Sequence, residues 1–113
     1  MLPPDGSLLR IFVGESDKYE KQPLYEWIVI QARAQGLAGA TVLRGLMGFG
    51  ANTRVIHSFK IERLSEDLPI IIELVDTTAK LETFLSFVEQ RIQSDLLATM
   101  EVVQVRFYRG DKS

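Results

Sequence analysis

In the first 40 residues, the hydrophobic positions first form a continuous run and then recur at the spacing of an α-helix. Residues 8–13 are mostly apolar and lie between glycines, which predicts a buried strand. After Pro23, which suits the first turn of a helix, Leu24, Ile28 and Ala32 recur at helical spacing. Gly36 directly follows this stripe and predicts a Schellman-type helix end.

The second half of the chain predicts three more strands and a second helix. Residues 40–47 predict a strand with a kink or bulge at Gly45, and residues 69–75 are β-branched and nearly continuous. Asp76 or Thr77 can cap the helix that follows. Its apolar stripe is Leu81, Phe84, Leu85, Val88 and Ile92. Residues 99–108 alternate as a last strand, and residues 51–68 predict an extended arm.

This order of elements predicts an α+β fold, a ferredoxin-like βαββαβ sandwich. Two helices cover one face of a four-stranded antiparallel sheet, and the long arm lies between the second and third strands. We expect a single domain over residues 1–113. Apolar residues fall on both faces of the predicted sheet, which favours oligomerisation through the open face. The residues that indicate this are Ile71, Val75, Val102 and Tyr108.

Composition excludes several classes of function. A net charge of −2 gives no electrostatic reason to expect nucleic acid as a partner. The absence of cysteine excludes disulfides and cysteine nucleophiles and fits a reducing cytoplasm. No apolar run reaches the roughly 20 residues that span a bilayer, and the first residues do not resemble a signal peptide. We expect a cytoplasmic protein.

Catalytic and metal-binding patterns are weak. The only histidine, His57, lies in the arm, and a metal site with Glu62 or Glu66 would rest on one imidazole and scattered carboxylates. The carboxylates next to the predicted strands are typical of solvated loop ends, although such pairs can do acid–base work. They are Glu15, Asp17, Glu66 and Asp67. We expect no catalytic residues, no metal ligands and no enzymatic activity.

A glycine-flanked aromatic at residues 48–50 offers a different kind of site. Glycines let the backbone approach a ligand closely, and consecutive N–H groups can hold an anion. Arg106 and Arg109 could supply charge for a phosphate, or be solvated surface residues. Trp27, Phe84 and Phe87 are expected in the core or an interface.

Several motifs in one order resemble the PII signalling proteins, and more closely an uncharacterised PII-like family. The resemblance covers roughly residues 8–108. The motifs are Gly36-x-x-Gly39-Ala-Thr-Val, Gly48-Phe-Gly50, Asp67-Leu-Pro-Ile-Ile-Ile-Glu-Leu-Val-Asp76, Arg10-Ile-Phe-Val-Gly-Glu-Ser-Asp17, Pro23-Leu-Tyr-Glu26, Ile56-His-Ser-Phe-Lys60 and Leu64-Ser-Glu-Asp-Leu-Pro69.

The resemblance implies a homotrimer whose subunits meet through their sheets and bind adenine nucleotides in the clefts between them. It places Thr41, Gly48, Phe49 and Gly50 at the base of the long T-loop, and Arg106 and Arg109 near the phosphates. By the same resemblance, residues 51–68 correspond to the loop that docks on a partner protein. The family suggests a membrane transporter or channel as this partner. Within this loop, the expected contact residues are Val55, Ile56, His57, Phe59 and Lys60.

The chain also departs from the PII pattern. A glycine- and lysine-rich phosphate loop precedes the last strand of PII proteins, and residues 93–98 replace it here. This leaves open a nucleotide less charged than ATP, or no ligand. The main hypothesis is a non-catalytic PII-like regulatory protein. The alternatives are a CutA-like structural or metal-handling trimer and an enzyme that uses Glu15, Asp17 or Glu66.

Overall fold

Four long strands and two helices form the frame of the molecule. The computed structural model describes residues 5–49, 67–93 and 96–109. The strands are β1 (Asp5–Gly14), β2 (Lys18–Tyr19), β3 (Gln22–Pro23), β4 (Gly39–Arg44), β5 (Pro69–Asp76) and β6 (Leu97–Gln104), and the helices are α1 (Leu24–Ala34) and α2 (Thr78–Arg91). No helix in the described ranges is long and apolar enough to cross a membrane.

The main sheet has the strand order β4-β5-β1-β6, and all neighbouring strands are antiparallel. Its first and third long strands, β1 and β5, are therefore central, as the βαββαβ order requires. The fold is the ferredoxin-like α+β sandwich that the sequence predicts.

The core lies between the sheet and the two helices. Because side chains alternate along a strand, every second residue of β1 and β5 faces the helices. Helix α1 buries Leu24, Ile28 and Ala32, and α2 buries Leu81, Phe84 and Val88, which confirms both predicted stripes. The buried apolar residues of these two strands are Leu9, Ile11, Val13, Ile70, Ile72 and Leu74.

Helix α1 ends as predicted. Gly36 has a φ of +78°, and its N–H donates to the carbonyl of Arg33. The N–H of Leu37 donates to the carbonyl of Ala32. These two bonds are those of a Schellman motif, so the left-handed glycine turns the chain from α1 towards β4.

Three predicted boundaries are wrong. Strand β4 stops at Arg44 rather than residue 47, so Gly45 follows the strand and does not form a bulge inside it. Strand β6 runs from Leu97 to Gln104, so it begins two residues before the predicted start and ends four residues before the predicted end. Its position follows from its pairing with β1, in which Leu97 lies opposite Phe12 and Gln104 opposite Asp5. Val102 pairs with Ser7, on the helix side of the sheet.

A small hairpin lies between β1 and α1. Strands β2 and β3 pair through Tyr19 and Gln22. The two residues between them, Glu20 and Lys21, have φ values of +50° and +73°, as two-residue hairpin turns require. The ring of Tyr19 packs on Trp27 with centroids 4.4 Å apart, which attaches the hairpin to α1.

Candidate functional site

Among the predicted nucleotide-binding residues that the structure describes, all except Thr41 lie at two ends of the sheet, which we name by their composition. The arginine end contains Ala38, Asp76 and the C-terminal segment 106–109. Here the N–H of Ala38 donates to the Asp76 carboxylate at 2.9 Å, and the Tyr108 hydroxyl donates to the Ala38 carbonyl at 3.2 Å. The Tyr108 bond places Arg106 and Arg109 at this end, close in sequence to the anchored ring.

Asp76 joins the elements that meet at the arginine end. It is buried, with 3% exposure, and its second oxygen accepts the N–H of Thr77 at 2.6 Å. Thr77 in turn caps α2 by accepting the N–H of Lys80, so the structure assigns the cap to Thr77. Lys80 donates to the Gly36 carbonyl at 3.0 Å. It also lines an open pocket of about 220 Å³ between the turn that follows α1 and the first turns of α2.

The glycine end contains the residues that follow β4 and those that begin β5. The N–H of Gly45 donates to the Pro69 carbonyl at 2.7 Å. Gly48 has a φ of +152°, a backbone conformation that favours glycine. Phe49 is 68% exposed. Gly50 lies outside the described residues.

The candidate acid–base carboxylates support the glycine end structurally. Glu15 accepts a hydrogen bond from Arg44 at 3.1 Å, and Asp17 accepts one from the N–H of Gly14 at 2.8 Å. One oxygen of Asp67 accepts both the N–H and the hydroxyl of Ser16, at 3.0 and 2.6 Å. These contacts hold the loop after β1 against the start of β5, and Glu66 lies outside the described residues.

The two ends are too far apart to form one site within a chain. Strand β5 spans eight residues from Pro69 to Asp76, which is about 24 Å at roughly 3.4 Å per residue. Gly48 lies beside Pro69, since a Cβ built on it would be 3.5 Å from the proline ring. The segment that contains the arginines is attached to Asp76 through Tyr108 and Ala38. The structure therefore groups the predicted binding residues into two halves and does not bring the halves together.

Thr41 lies between the two ends, on the open face of the sheet. It pairs with Glu73, which pairs with Arg10, and Arg10 pairs with Thr99 of β6. The Arg10 guanidinium donates to Glu73 at 3.0 Å and to Glu101 at 2.6 Å. We call Arg10, Glu73 and Glu101 the charged row.

The hydrogen bonds that Arg10 donates to Glu101 and, as the second cause, to Glu73 raise the pKa of Arg10 above its ordinary value. Because the pKa is raised on folding, this stabilisation is present at neutral pH and is lost only as the pH rises through the folded value. Arg10 therefore stays charged across the neutral range and adds no pH switch there.

An apolar row lies beside the charged row, towards the glycine end. Register aligns Leu43 with Ile71, Ile71 with Phe12, and Phe12 with Leu97. Leu43 and Leu97 are 45% and 40% exposed. Ile71 and Val75 lie on this open face, and Val102 lies on the helix side opposite Ser7, so apolar residues occur on both faces as predicted. In a single chain, this apolar row across all four strands is exposed to water, which is typical of a surface that another molecule covers.

Other predicted residues fall outside the described ranges. They include all five expected partner contacts, Val55, Ile56, His57, Phe59 and Lys60, and the possible metal ligands Glu62 and Glu66. Within the described ranges, no group of three or more histidine, cysteine or acidic residues is placed to hold a metal ion.

Sequence reasoning misses the anchoring of Tyr108 and the charged row. The pattern assigns Tyr108 only to a strand face, and Arg10 only to a motif. The charged row could have been predicted, because Arg10 lies between apolar residues of a predicted buried strand. A charge in that position needs a partner on a neighbouring strand. No local pattern in the sequence indicates the contact between Tyr108 and Ala38.

Comparison with solved structures identifies the fold as that of PII-like proteins. The chain superposes on CPII from Thiomonas intermedia K12, solved with ADP, AMP and acetate, with a TM-score of 0.63 and 16% identity, covering 89% of this chain and 88% of CPII. A PII-like signaling protein from Thermus thermophilus gives a TM-score of 0.62 and 19% identity, with 93% of each chain covered.

Sequence comparison then gives the family. Residues 6–105 match the DUF190 family, described as Uncharacterized ACR. A UPF0166 protein of Aquifex aeolicus is 36% identical over 98 residues, covering 87% of this chain and 90% of the relative. A UPF0166 protein of Methanocaldococcus jannaschii is 33% identical over 106 residues, covering 94% of each. The chain belongs to the DUF190 family, and the resemblance to PII-like proteins is confirmed.

Proposed function

We propose that this protein is a non-catalytic, PII-like regulatory protein that binds an adenine nucleotide. The observation that supports this most directly is the shared fold with CPII, which was solved with ADP and AMP. At 16% identity that likeness shows the fold alone, so the ligand is our proposal. The arginines at 106 and 109 support it, since guanidinium groups bind phosphate oxygens in bidentate fashion.

We further propose that the nucleotide lies between two copies of the chain. The arginine end and the glycine end are about 24 Å apart along β5, which is longer than an ADP molecule. One nucleotide can contact both halves only if the arginine end of one copy lies beside the glycine end of another. This requirement, together with the family resemblance, supports a homotrimer.

The open face of the sheet is the proposed contact between copies. The apolar row would be covered in the assembly, and burying such a surface is favourable at about 25 cal/mol per Å². The charged row carries hydrogen bonds within its own chain, so its groups already have partners when water is excluded. Both properties fit a surface that another copy covers.

Residues 51–68 are the proposed partner-binding segment, with a membrane transporter or channel as the partner class and the cytoplasm as the location. The structure contributes one observation to this proposal. Contacts at the glycine end, between Gly45 and Pro69 and between Ser16 and Asp67, fix the two points where the segment leaves and rejoins the sheet. A ligand at this end would therefore lie beside the segment it is proposed to control.

Calorimetric titration with AMP, ADP, ATP and cyclic AMP, with and without magnesium, tests the ligand. We expect saturable binding of ADP or AMP near one molecule per chain and weaker binding after Arg109→Gln. Absence of binding to all four nucleotides would refute the proposed ligand.

A substitution in the apolar row tests the arrangement. Ile71→Glu places a second carboxylate beside Glu73 on the open face, and we expect it to leave a folded monomer that no longer binds ADP. Light scattering gives the mass, and circular dichroism reports the fold. Glu82→Gln on the exposed side of α2 is the control and should change neither property. A folded monomer with wild-type affinity for ADP would show that one chain suffices.

A further inference from the structure

Two exposed aromatic rings lie between the two arginines of the C-terminal segment. Phe107 is 69% exposed and Tyr108 is 45% exposed. The segment 106–109 contains no acidic residue, in a chain whose net charge is −2. Positive charge and exposed aromatic surface are therefore concentrated in this short segment. This is the combination that binds nucleotides through phosphate contacts and base stacking.

Tyr108 is fixed at its hydroxyl end. Its hydroxyl donates to the Ala38 carbonyl at 3.2 Å, and the N–H of Ala38 donates to the buried Asp76. Asp76 in turn accepts the N–H of Thr77 at the start of α2. The ring is thus connected by consecutive hydrogen bonds to the packed frame of sheet and helices. A ring already held in place loses little freedom when a ligand stacks on it.

Open space lies at the residue that follows the anchor of Tyr108. A Cβ built on Gly39, the residue after Ala38, would meet no atom within 4 Å. The ring of Tyr108 has no stacking or cation partner among the described residues, whereas Phe107 already has the Arg109 guanidinium 4.4 Å from its centroid. Both faces of the Tyr108 ring are therefore clear of other described rings and cations, whereas one face of Phe107 carries a guanidinium.

We infer that Tyr108 is the stacking platform for the base of the bound nucleotide. This inference rests on the proposed nucleotide-binding function and assigns the base to one residue of the arginine end. Arg106 and Arg109 flank the ring and contact the phosphates of the same nucleotide. Stacking is tolerant of base identity because every base has a π-face, so Tyr108 contributes affinity and only modest selectivity among purines.

The experiment compares ADP affinity for the full-length wild type and three variants by calorimetry. Tyr108→Leu removes the ring, and Tyr108→Phe keeps the ring without its hydroxyl. Phe107→Leu removes a ring of similar size from the adjacent position. We expect Tyr108→Leu to weaken ADP binding on the order of five- to a hundredfold. Tyr108→Phe should stay within about threefold of wild type, and Phe107→Leu should lose less than Tyr108→Leu. Light scattering and circular dichroism confirm that each variant is folded and assembled.

Each alternative outcome has a distinct meaning. Unchanged affinity in Tyr108→Leu overturns the inference while the proposed function stands. Equal losses in Tyr108→Leu and Tyr108→Phe assign the effect to the hydroxyl anchor and overturn the stacking role. A larger loss at Phe107 than at Tyr108 places the base on the other ring and also overturns it. If the wild type binds no ADP, the proposed function fails and the inference fails with it.

Discussion

Gly39 and Gly45 should respond in opposite directions to the same substitution by alanine. A Cβ on Gly45 would lie 2.8 Å from Cγ of Pro69 and 3.5 Å from its carbonyl oxygen. The first distance is at least about 0.6 Å shorter than ordinary van der Waals contact. Pro69 is held by its ring and by β5 pairing, so it cannot move aside freely. Overpacking of this kind costs about 1–3 kcal/mol.

Gly39 presents the opposite situation. A Cβ there meets no atom within 4 Å, and the residue does not have a positive φ. Alanine at such a position restricts the unfolded chain without straining the folded one, which stabilises proteins by about 0.4–1 kcal/mol. We therefore expect Gly39→Ala to raise the free energy of unfolding and Gly45→Ala to lower it.

Urea denaturation followed by circular dichroism measures both changes, at a protein concentration where light scattering gives the same mass for each variant. In thermal denaturation, each kcal/mol corresponds to a shift of about 4 °C at this chain length. Wild-type stability in Gly45→Ala would refute the close approach of Gly45 to Pro69. A loss in Gly39→Ala would refute the open space, and would indicate that another copy or a ligand occupies it.

Three further predictions concern the stability of the fold, and thermal denaturation measures all of them. Phe84→Ala empties a fully buried position and should cost about 3–5 kcal/mol; a loss below about 1 kcal/mol would contradict the packing between α2 and the sheet. Thr77→Ala removes the α2 cap and should cost about 1 kcal/mol, whereas Thr77→Ser should retain most of it; equal losses would argue against the hydroxyl cap. Lys21 has a left-handed backbone conformation, so Lys21→Gly should remove strain and raise the free energy of unfolding by up to about 1 kcal/mol. A clear loss of stability would argue against the hairpin turn.

Periodicity in the sequence predicts those parts of the fold that depend on local pattern. Both helices, strand β5 and the glycine-ended turn after α1 follow from spacing, because each buries one face or satisfies its own backbone. The ends of β4 and β6 do not follow from spacing. Strand β4 stops where Gly45 meets Pro69, and β6 is positioned by its pairing with β1, from Leu97 opposite Phe12 to Gln104 opposite Asp5. These limits are set by residues distant in sequence.

The candidate site shows the same division between local and distant information. Glycines and arginines are identifiable from their chemistry, so the sequence names both halves of the proposed site. Their positions at opposite ends of the sheet follow from the antiparallel pairing of β4, β5 and β1 and from the contact of Tyr108 with Ala38. Neither the separation of the halves nor the anchored ring is encoded in any short segment.

The separation of the two halves has a thermodynamic consequence for regulation. A nucleotide that contacts the arginine end of one copy and the glycine end of another binds only the assembled protein. Under this arrangement, the ligand stabilises assembly by RT ln(1 + [L]/Kd), and assembly strengthens ligand binding by the same coupling free energy. The segment beside the glycine end would then respond to two quantities at once, the nucleotide concentration and the contact between copies. Under the proposed function, the interface between copies would therefore couple the nucleotide to the partner within a chain of this size.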